Sequence, residues 1–151
     1  MHSIPLRFLI WCSLIALVCG CGRQFATGAG VKVSGKIVKG GQPLQVPTSP
    51  TGAGFVDVNL SPAEAADSGK LADTTVHAEP DGSFFLDYEG RGLPPGKYKV
   101  AVFVREIGGV GDELKGKFSP DNTPIRTELD TSKIGGTVDV GTIDLDTAGK
   151  K

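Results

Sequence analysis

The chain has 151 residues, a length that suits a single domain. Its 16 basic and 17 acidic residues give a net charge of −1, and no cationic run occurs apart from the terminal Lys150-Lys151, which argues against a nucleic-acid-binding protein. The 22 glycines and 10 prolines favour short strands joined by tight turns.

The first twenty residues have the organisation of a secretory signal peptide. A basic start that includes Arg7 precedes an apolar run from Phe8 to Val18, and a run of about eleven residues has the usual length of a signal-peptide core. A membrane-spanning helix needs about twenty apolar residues. We therefore expect residues 1–20 to be removed, with an uncleaved short anchor or an ordinary cut elsewhere as the alternatives.

The apolar run ends in the sequence LVCGC at residues 17–21, which resembles the lipobox of bacterial lipoproteins. In that family the cysteine after the cut carries the lipid, so the resemblance implies a lipidated Cys21 and a permanent membrane anchor. Cys12 and Cys19 would leave with the leader, so the mature chain would have no disulfide and no thiolate ligand. Gly22, where enteric lipoproteins of the inner membrane carry aspartate, favours the outer membrane of the cell envelope, facing the periplasm or the exterior.

After a small, polar tether at residues 21–30, alternation of apolar and polar residues predicts β-strands. A turn at Pro80-Asp81-Gly82 predicts that the third and fourth strands form a hairpin. In the last strand the apolar positions change parity, and a bulge at Gly141-Thr142 would restore one apolar face. The seven predicted strands are Val31–Lys39, Gly54–Leu60, Thr74–Glu79, Ser83–Tyr88, Lys97–Arg105, Ile125–Asp130 and Thr137–Leu145.

Two irregular segments interrupt this pattern. Residues 43–53 contain three prolines, which remove ladder donors, and are predicted to be an exposed loop. Residues 106–123 are glycine-rich and charged and are predicted to be a mobile loop. Because irregular loops on a rigid sheet often carry binding, we expect these two loops to contact an envelope protein. Residues 147–151 are expected to form a disordered tail.

Several segments resemble the carboxypeptidase-regulatory-like, or transthyretin-like, β-sandwich modules of bacterial surface lipoproteins. They are VSGKI at residues 33–37 with GGQPL at 40–44, DGSF at 81–84, LPPGKY at 93–98 and the stretch from Phe118 to Pro124. The resemblance implies that residues 31–146 form a seven-stranded antiparallel Greek-key β-sandwich, with a generic immunoglobulin-like sandwich as the alternative. Since these segments are turn and strand-start signals, they say little about function.

The mature chain shows no recognisable catalytic set. His77 is its single histidine and lies on a predicted strand, whereas acid–base catalysis needs a positioned partner. The carboxylates near Asp81 and near the last strand do not have the spacing of a calcium-binding loop. We therefore expect no enzymatic activity, no metal site and no cofactor.

Aromatic side chains on an outer face would suit contact with a polysaccharide, because flat rings stack on sugars. Phe85, Phe103 and Phe118 are the candidates for such a surface, with Phe85 beside Phe103, and packing inside the sandwich is the alternative. The sequence thus predicts a non-enzymatic, lipid-anchored envelope protein whose sandwich is a structural or protein-interaction module. Contact with glycan or peptidoglycan is the alternative function.

Overall fold

The computed structural model describes residues 29–49, 52–64, 67, 71–106 and 111–148, so the leader and Cys21 lie outside the described residues. The seven longer strands overlap the segments predicted from alternation but differ from them by one or two residues at most of their ends, and three further strands have two residues each, so the described strands are more than the seven predicted. The strands are β1 (Lys32–Lys39), β2 (Gln42–Pro43), β3 (Thr48–Ser49), β4 (Gly52–Ala53), β5 (Phe55–Pro62), β6 (Thr74–His77), β7 (Ser83–Leu86), β8 (Gly96–Arg105), β9 (Arg126–Leu129) and β10 (Thr137–Asp144).

The fold is all-β and consists of two four-stranded sheets around a shared core, with β3 and β4 forming a separate ribbon. In the first sheet, β1 pairs with β10 on one side and with β7 and β2 on the other. The second sheet has the order β6-β5-β8-β9. Alternate residues of both sheets fill the core, as predicted from the period of two; its fully enclosed members include Val31, Val33, Ile37, Val58, Leu60, Tyr98 and Val102.

The pairing of β1 with β10 is parallel, so the prediction of a fully antiparallel sandwich is wrong for this pair. Its register runs from Lys32 opposite Thr137 to Val38 opposite Asp144. The chain passes from β9 in the second sheet to β10 in the first through the short 3-10 turn Thr131–Lys133. Because β10 reaches β1 from the other sheet and not through a hairpin, it can run in the same direction as β1. Side-chain alternation reports which face a residue takes and not the direction of the neighbouring strand.

The last strand contains a bulge, one residue earlier than the predicted position at Gly141-Thr142. Ser34 lies opposite Asp139 and Lys36 opposite Thr142, so the single residue Gly35 faces both Val140 and Gly141. Gly141 has a φ of +73°, a conformation that glycine adopts without steric cost. The extra residue turns the second half of β10 back toward the core.

Strands β6 and β7 do not form the predicted hairpin ladder. β6 pairs with β5 in the second sheet, whereas β7 pairs with β1 in the first. The predicted turn is present at residues 80–82, where the Gly82 amide donates to the carbonyl of Glu79, but it carries the chain across the sandwich. The turn residues therefore predicted where the chain changes direction but not which strands pair on either side of the turn.

The direction of β1 defines two ends of the sandwich. At the end where β1 begins, which we call the entry end, Val31 bridges Leu93 and the amide of Gly30 donates to the carbonyl of Arg91. At the opposite end, the far end, the Asp144 carboxylate accepts hydrogen bonds from the amides of Gly40 and Gly41. A strand as long as β1 separates the two ends by about 26 Å.

Tyr98 on β8 joins the second sheet to the loop that precedes it. Its side chain is fully buried, and its hydroxyl donates to the Pro94 carbonyl at 2.8 Å. Burial raises the pKa of this hydroxyl well above its ordinary value. Tyr98 therefore stays protonated inside the folded protein under conditions in which an exposed tyrosine ionises.

Tyr98→Phe should lower the free energy of unfolding by about 1 to 3 kcal/mol at pH 7, because the Pro94 carbonyl loses its donor. The raised pKa means that this group stabilises the fold below the unfolded-state tyrosine pKa of about 10 and loses that contribution as pH rises above it. Urea unfolding should therefore show a smaller difference between the two proteins at pH 11 than at pH 7. A difference that does not change with pH would contradict this assignment.

Candidate binding surface

Phe118 is not on the surface, and its prediction as part of an aromatic binding patch is wrong. It is 2% exposed and belongs to the core. Phe118 belongs to the predicted loop at residues 106–123, of which residues 111–123 pack on β8. The Asp112 carboxylate accepts hydrogen bonds from the amides of Val104, Leu114 and Gly116. The Val102 amide donates to the Phe118 carbonyl. β9 pairs only with the first part of β8, and these bonds attach residues 111–123 to the same edge farther along the strand.

Phe85 and Phe103 do not lie side by side as predicted. Phe85 is 51% exposed and lies on β7, opposite Ser34 in the first sheet. Phe103 is half-buried and lies on β8, opposite Asp57 in the second sheet. Their neighbours along each strand point into the core, so both rings belong to outer faces, but of different sheets. Alternation identified the faces correctly and could not reveal which sheet each strand joins.

A buried carboxylate organises the outer face of the second sheet. Asp57 on β5 is 6% exposed although it points away from the core. Its Oδ1 lies 2.6 Å from Nδ1 of His77 on β6, and its Oδ2 lies 3.4 Å from Nε of Arg105 on β8. A carboxylate removed from water is costly unless it is paired, and here two partners from the flanking strands compensate it.

Two aromatic rings complete this arrangement. The rings of Phe55 and His77 meet edge to face, with 4.8 Å between their centroids, and the Arg105 guanidinium lies over the Phe103 ring at 4.9 Å, a cation–π contact. We call these five residues, Phe55, Asp57, His77, Phe103 and Arg105, the Asp57 cluster. The His77 side chain is 70% exposed, so the cluster holds accessible polar groups in fixed positions.

The polar row continues along β5 toward the entry end. Asn59 and Ser61 are also buried on this outer face. The Asn59 amide group donates to Asp73 Oδ1 at 2.7 Å, and also to the Thr74 carbonyl and the Thr75 hydroxyl. Within the described residues, the Asn59 Oδ1 and Ser61 Oγ atoms have no hydrogen-bond partner. Alternation places Asn59 on an outer face but does not show its burial, which the half-apolar second face of β8 could have indicated. Ser61 lies beyond the predicted end of this strand at Leu60, whereas β5 continues to Pro62.

The Asp57 cluster places a carboxylate, an imidazole and a guanidinium beside two aromatic rings. In the described part of the chain, the His77 ring is bonded to Asp57 and packs on Phe55, and no hydroxyl or thiol is bonded to it. Nucleophilic catalysis would need such a group. Among the same residues, no group of three or more His, Cys, Asp or Glu side chains is placed to hold a metal ion. The expected lack of enzymatic activity stays a prediction.

A cleft of about 400 Å³ opens beside the Asp57 cluster at the far end. Residues 43–46 and Ala53, from the predicted exposed loop, form one wall. Leu44 and Val46 are partly buried against the core rather than exposed, and the Gly54 amide donates to the Pro47 carbonyl at 2.6 Å. A second cleft of about 470 Å³ lies on the other side of Leu44 and Gln45. Phe55 belongs both to the cluster and to the first cleft, so the two features are continuous.

No helix within the described ranges is long and apolar enough to cross a bilayer.

Comparison with known proteins assigns no family. No family model and no curated protein matches the chain. Two similar solved structures are a DUF3823 family protein from Parabacteroides merdae, with 17% identity and a TM-score of 0.41, and BcpA, the major pilin subunit of Bacillus cereus, with 13% identity and a TM-score of 0.42. The matches cover 78% and 77% of this chain but 47% and 30% of those proteins, so the chain spans less than half of each.

Phe118 is buried and Phe85 is exposed, so replacing each with alanine should change the free energy of unfolding by different amounts. Phe118→Ala removes a core side chain and should lower the free energy of unfolding by about 3 to 5 kcal/mol. Phe85→Ala changes an exposed ring and should alter it by less than about 0.5 kcal/mol. Urea unfolding of the two variants measures both values, and similar losses would show that Phe118 is not a core residue.

Proposed function

We propose that this chain is a non-enzymatic, lipid-anchored binding protein of the cell envelope. The β-sandwich is the rigid support, and the Asp57 cluster with the adjoining far-end cleft is the surface that meets an envelope protein. The observation that carries this proposal is the position of that surface. The cluster and the cleft both lie toward the end opposite the entry of β1.

The anchor enters this proposal through the sequence. The lipobox-like residues 17–21 make Cys21 the lipidated residue, and the ten residue steps from Cys21 to Val31 can span at most about 35 Å. A lipid at Cys21 would hold the entry end toward the membrane, which we place as the outer membrane. The far end would then face the periplasm or the exterior, where a partner can reach it.

The side chains of the Asp57 cluster suit a protein interface. Aromatic and arginine side chains supply much of the binding energy at such interfaces. Arg105 and His77 are held by Asp57 and by the two rings before any partner arrives. Side chains that are already ordered lose less conformational entropy on binding, so the same contacts give a higher affinity.

A second candidate function is contact with glycan or peptidoglycan. Phe103 with the stacked Arg105 favours it, because a ring beside a guanidinium offers both a stacking surface and hydrogen-bond donors to a sugar. Phe118 no longer supports this function since it is buried. Phe85 remains exposed but isolated from Phe103 on the other sheet.

Site-specific photo-crosslinking in intact cells tests the proposal. A photoreactive amino acid replaces Gln45, which is exposed at the far end between the two clefts, or Glu89, which is exposed near the entry end. We expect one recurrent protein adduct from position 45 and none from position 89, because the partner meets the far end.

Adducts from position 89 alone would contradict the proposed surface. No protein adduct from either position, with the protein retained on isolated cell-wall material, would replace the protein-interaction function with the polysaccharide-binding one. Comparing adducts at two exposed positions of the same chain controls for unselective crosslinking.

A further inference from the structure

The two outer faces of the sandwich differ in how their cations are paired. On the first sheet, Lys32 lies 3.2 Å from Asp87 and Lys36 lies 3.3 Å from Asp81, so both lysines are compensated. On the second sheet, Lys97 and Lys99 form no ion pair with any described carboxylate. Between the two outer faces, the lysines without an ion pair are therefore those of the second sheet. Elsewhere in the described residues, Lys39, Lys115, Lys117 and Lys133 also form no ion pair, and the chain as a whole is slightly negative.

Strand pairing places like charges directly opposite each other on this face. Lys99 on β8 is the cross-strand partner of Arg126 on β9, and such neighbours repel. On the other side, Lys99 faces Ser61, which is buried and whose Oγ atom has no partner among the described residues. A bound anion would relieve the repulsion between the two cations.

The cations form a row along the sheet. Lys97, Lys99 and Arg105 occupy alternate positions of β8 on the outer face, with Arg126 beside them, and the row is about 26 Å long. Asp57 already compensates Arg105, Glu128 lies opposite Lys97, and Asp73 at the margin is bonded to Asn59. Lys99 and Arg126 therefore carry most of the free charge, while Phe103 supplies a ring between Lys99 and Arg105.

We propose that the outer face of the second sheet binds an acidic polysaccharide, with carboxylate groups of the sugars between Lys99 and Arg126 and a sugar ring against Phe103. A polymer of sugars fits because Phe103 lies on the same face of β8, about 13 Å along the strand from Lys99, so consecutive sugars can contact both the cation pair and the ring. This inference rests on the second candidate function above and gives it a ligand class.

The test uses the full mature, lipidated protein in detergent micelles with immobilised polygalacturonate as the probe and neutral dextran as its control. Lys99→Gln with Arg126→Gln removes the two cations of the proposed site, and Lys32→Gln with Lys36→Gln removes two lysines from the opposite face. Thermal unfolding checks that both variants remain folded. We expect about a tenfold loss of affinity for the first pair, less than about a twofold loss for the second, and a fall in binding as salt rises.

Equal losses in the two pairs, binding to dextran as strong as to polygalacturonate, or no binding to polygalacturonate would each overturn the inference. Binding to vesicles that contain phosphatidylglycerol is measured as well. Binding to these vesicles but not to polygalacturonate would show that the face contacts an anionic membrane and would overturn the inference. If polygalacturonate fails to bind while the crosslink from position 45 persists, this inference fails and the proposed protein-interaction function stands.

Discussion

The direction of strand β1 defines the two ends of the sandwich, and the proposed orientation of the protein toward a membrane depends on it. β1 pairs with three other strands of the first sheet, and its inward residues Val33 and Ile37 are fully buried. Because the chain enters at the start of β1, the turn at residues 40–41 and the far-end clefts must lie at the other end of the strand. An anchor on the N-terminal side of Val31 would thus orient the whole sandwich.

Asp57 has a comparable role in the second sheet. Burying a carboxylate on an outer face costs stability unless partners compensate it, and His77 and Arg105 do so from the strands on either side of β5. The same contacts fix two exposed polar groups and their neighbouring rings, so the surface is ordered before a ligand binds. Farther along the face, the apposed cations Lys99 and Arg126 lack such compensation, and there the structure favours an anionic ligand.

Much of the fold follows from local patterns in the sequence. Alternation located the longer strands and correctly turned Leu129 inward and Glu128 outward, and the parity change in β10 predicted a bulge next to Gly141. Phe118 is buried where the irregular segment 111–123 bonds to β8, and a period of two does not predict how an irregular segment packs. The Asp57 cluster was missed because it depends on the register that places Asp57 opposite His77, and a period of two carries no information on register between strands.

The most direct test of the account is the orientation of the lipidated protein on a membrane. The mature chain lacks a free thiol if Cys21 is lipidated, so Gln45→Cys or Glu89→Cys each introduces one site for a fluorescent donor, with acceptor dyes placed in the bilayer of the vesicles. We expect strong energy transfer from position 89, weaker transfer from position 45, and loss of membrane association in a Cys21→Ser protein. Equal transfer from both positions, or stronger transfer from position 45, would contradict the claim that the far end faces away from the membrane.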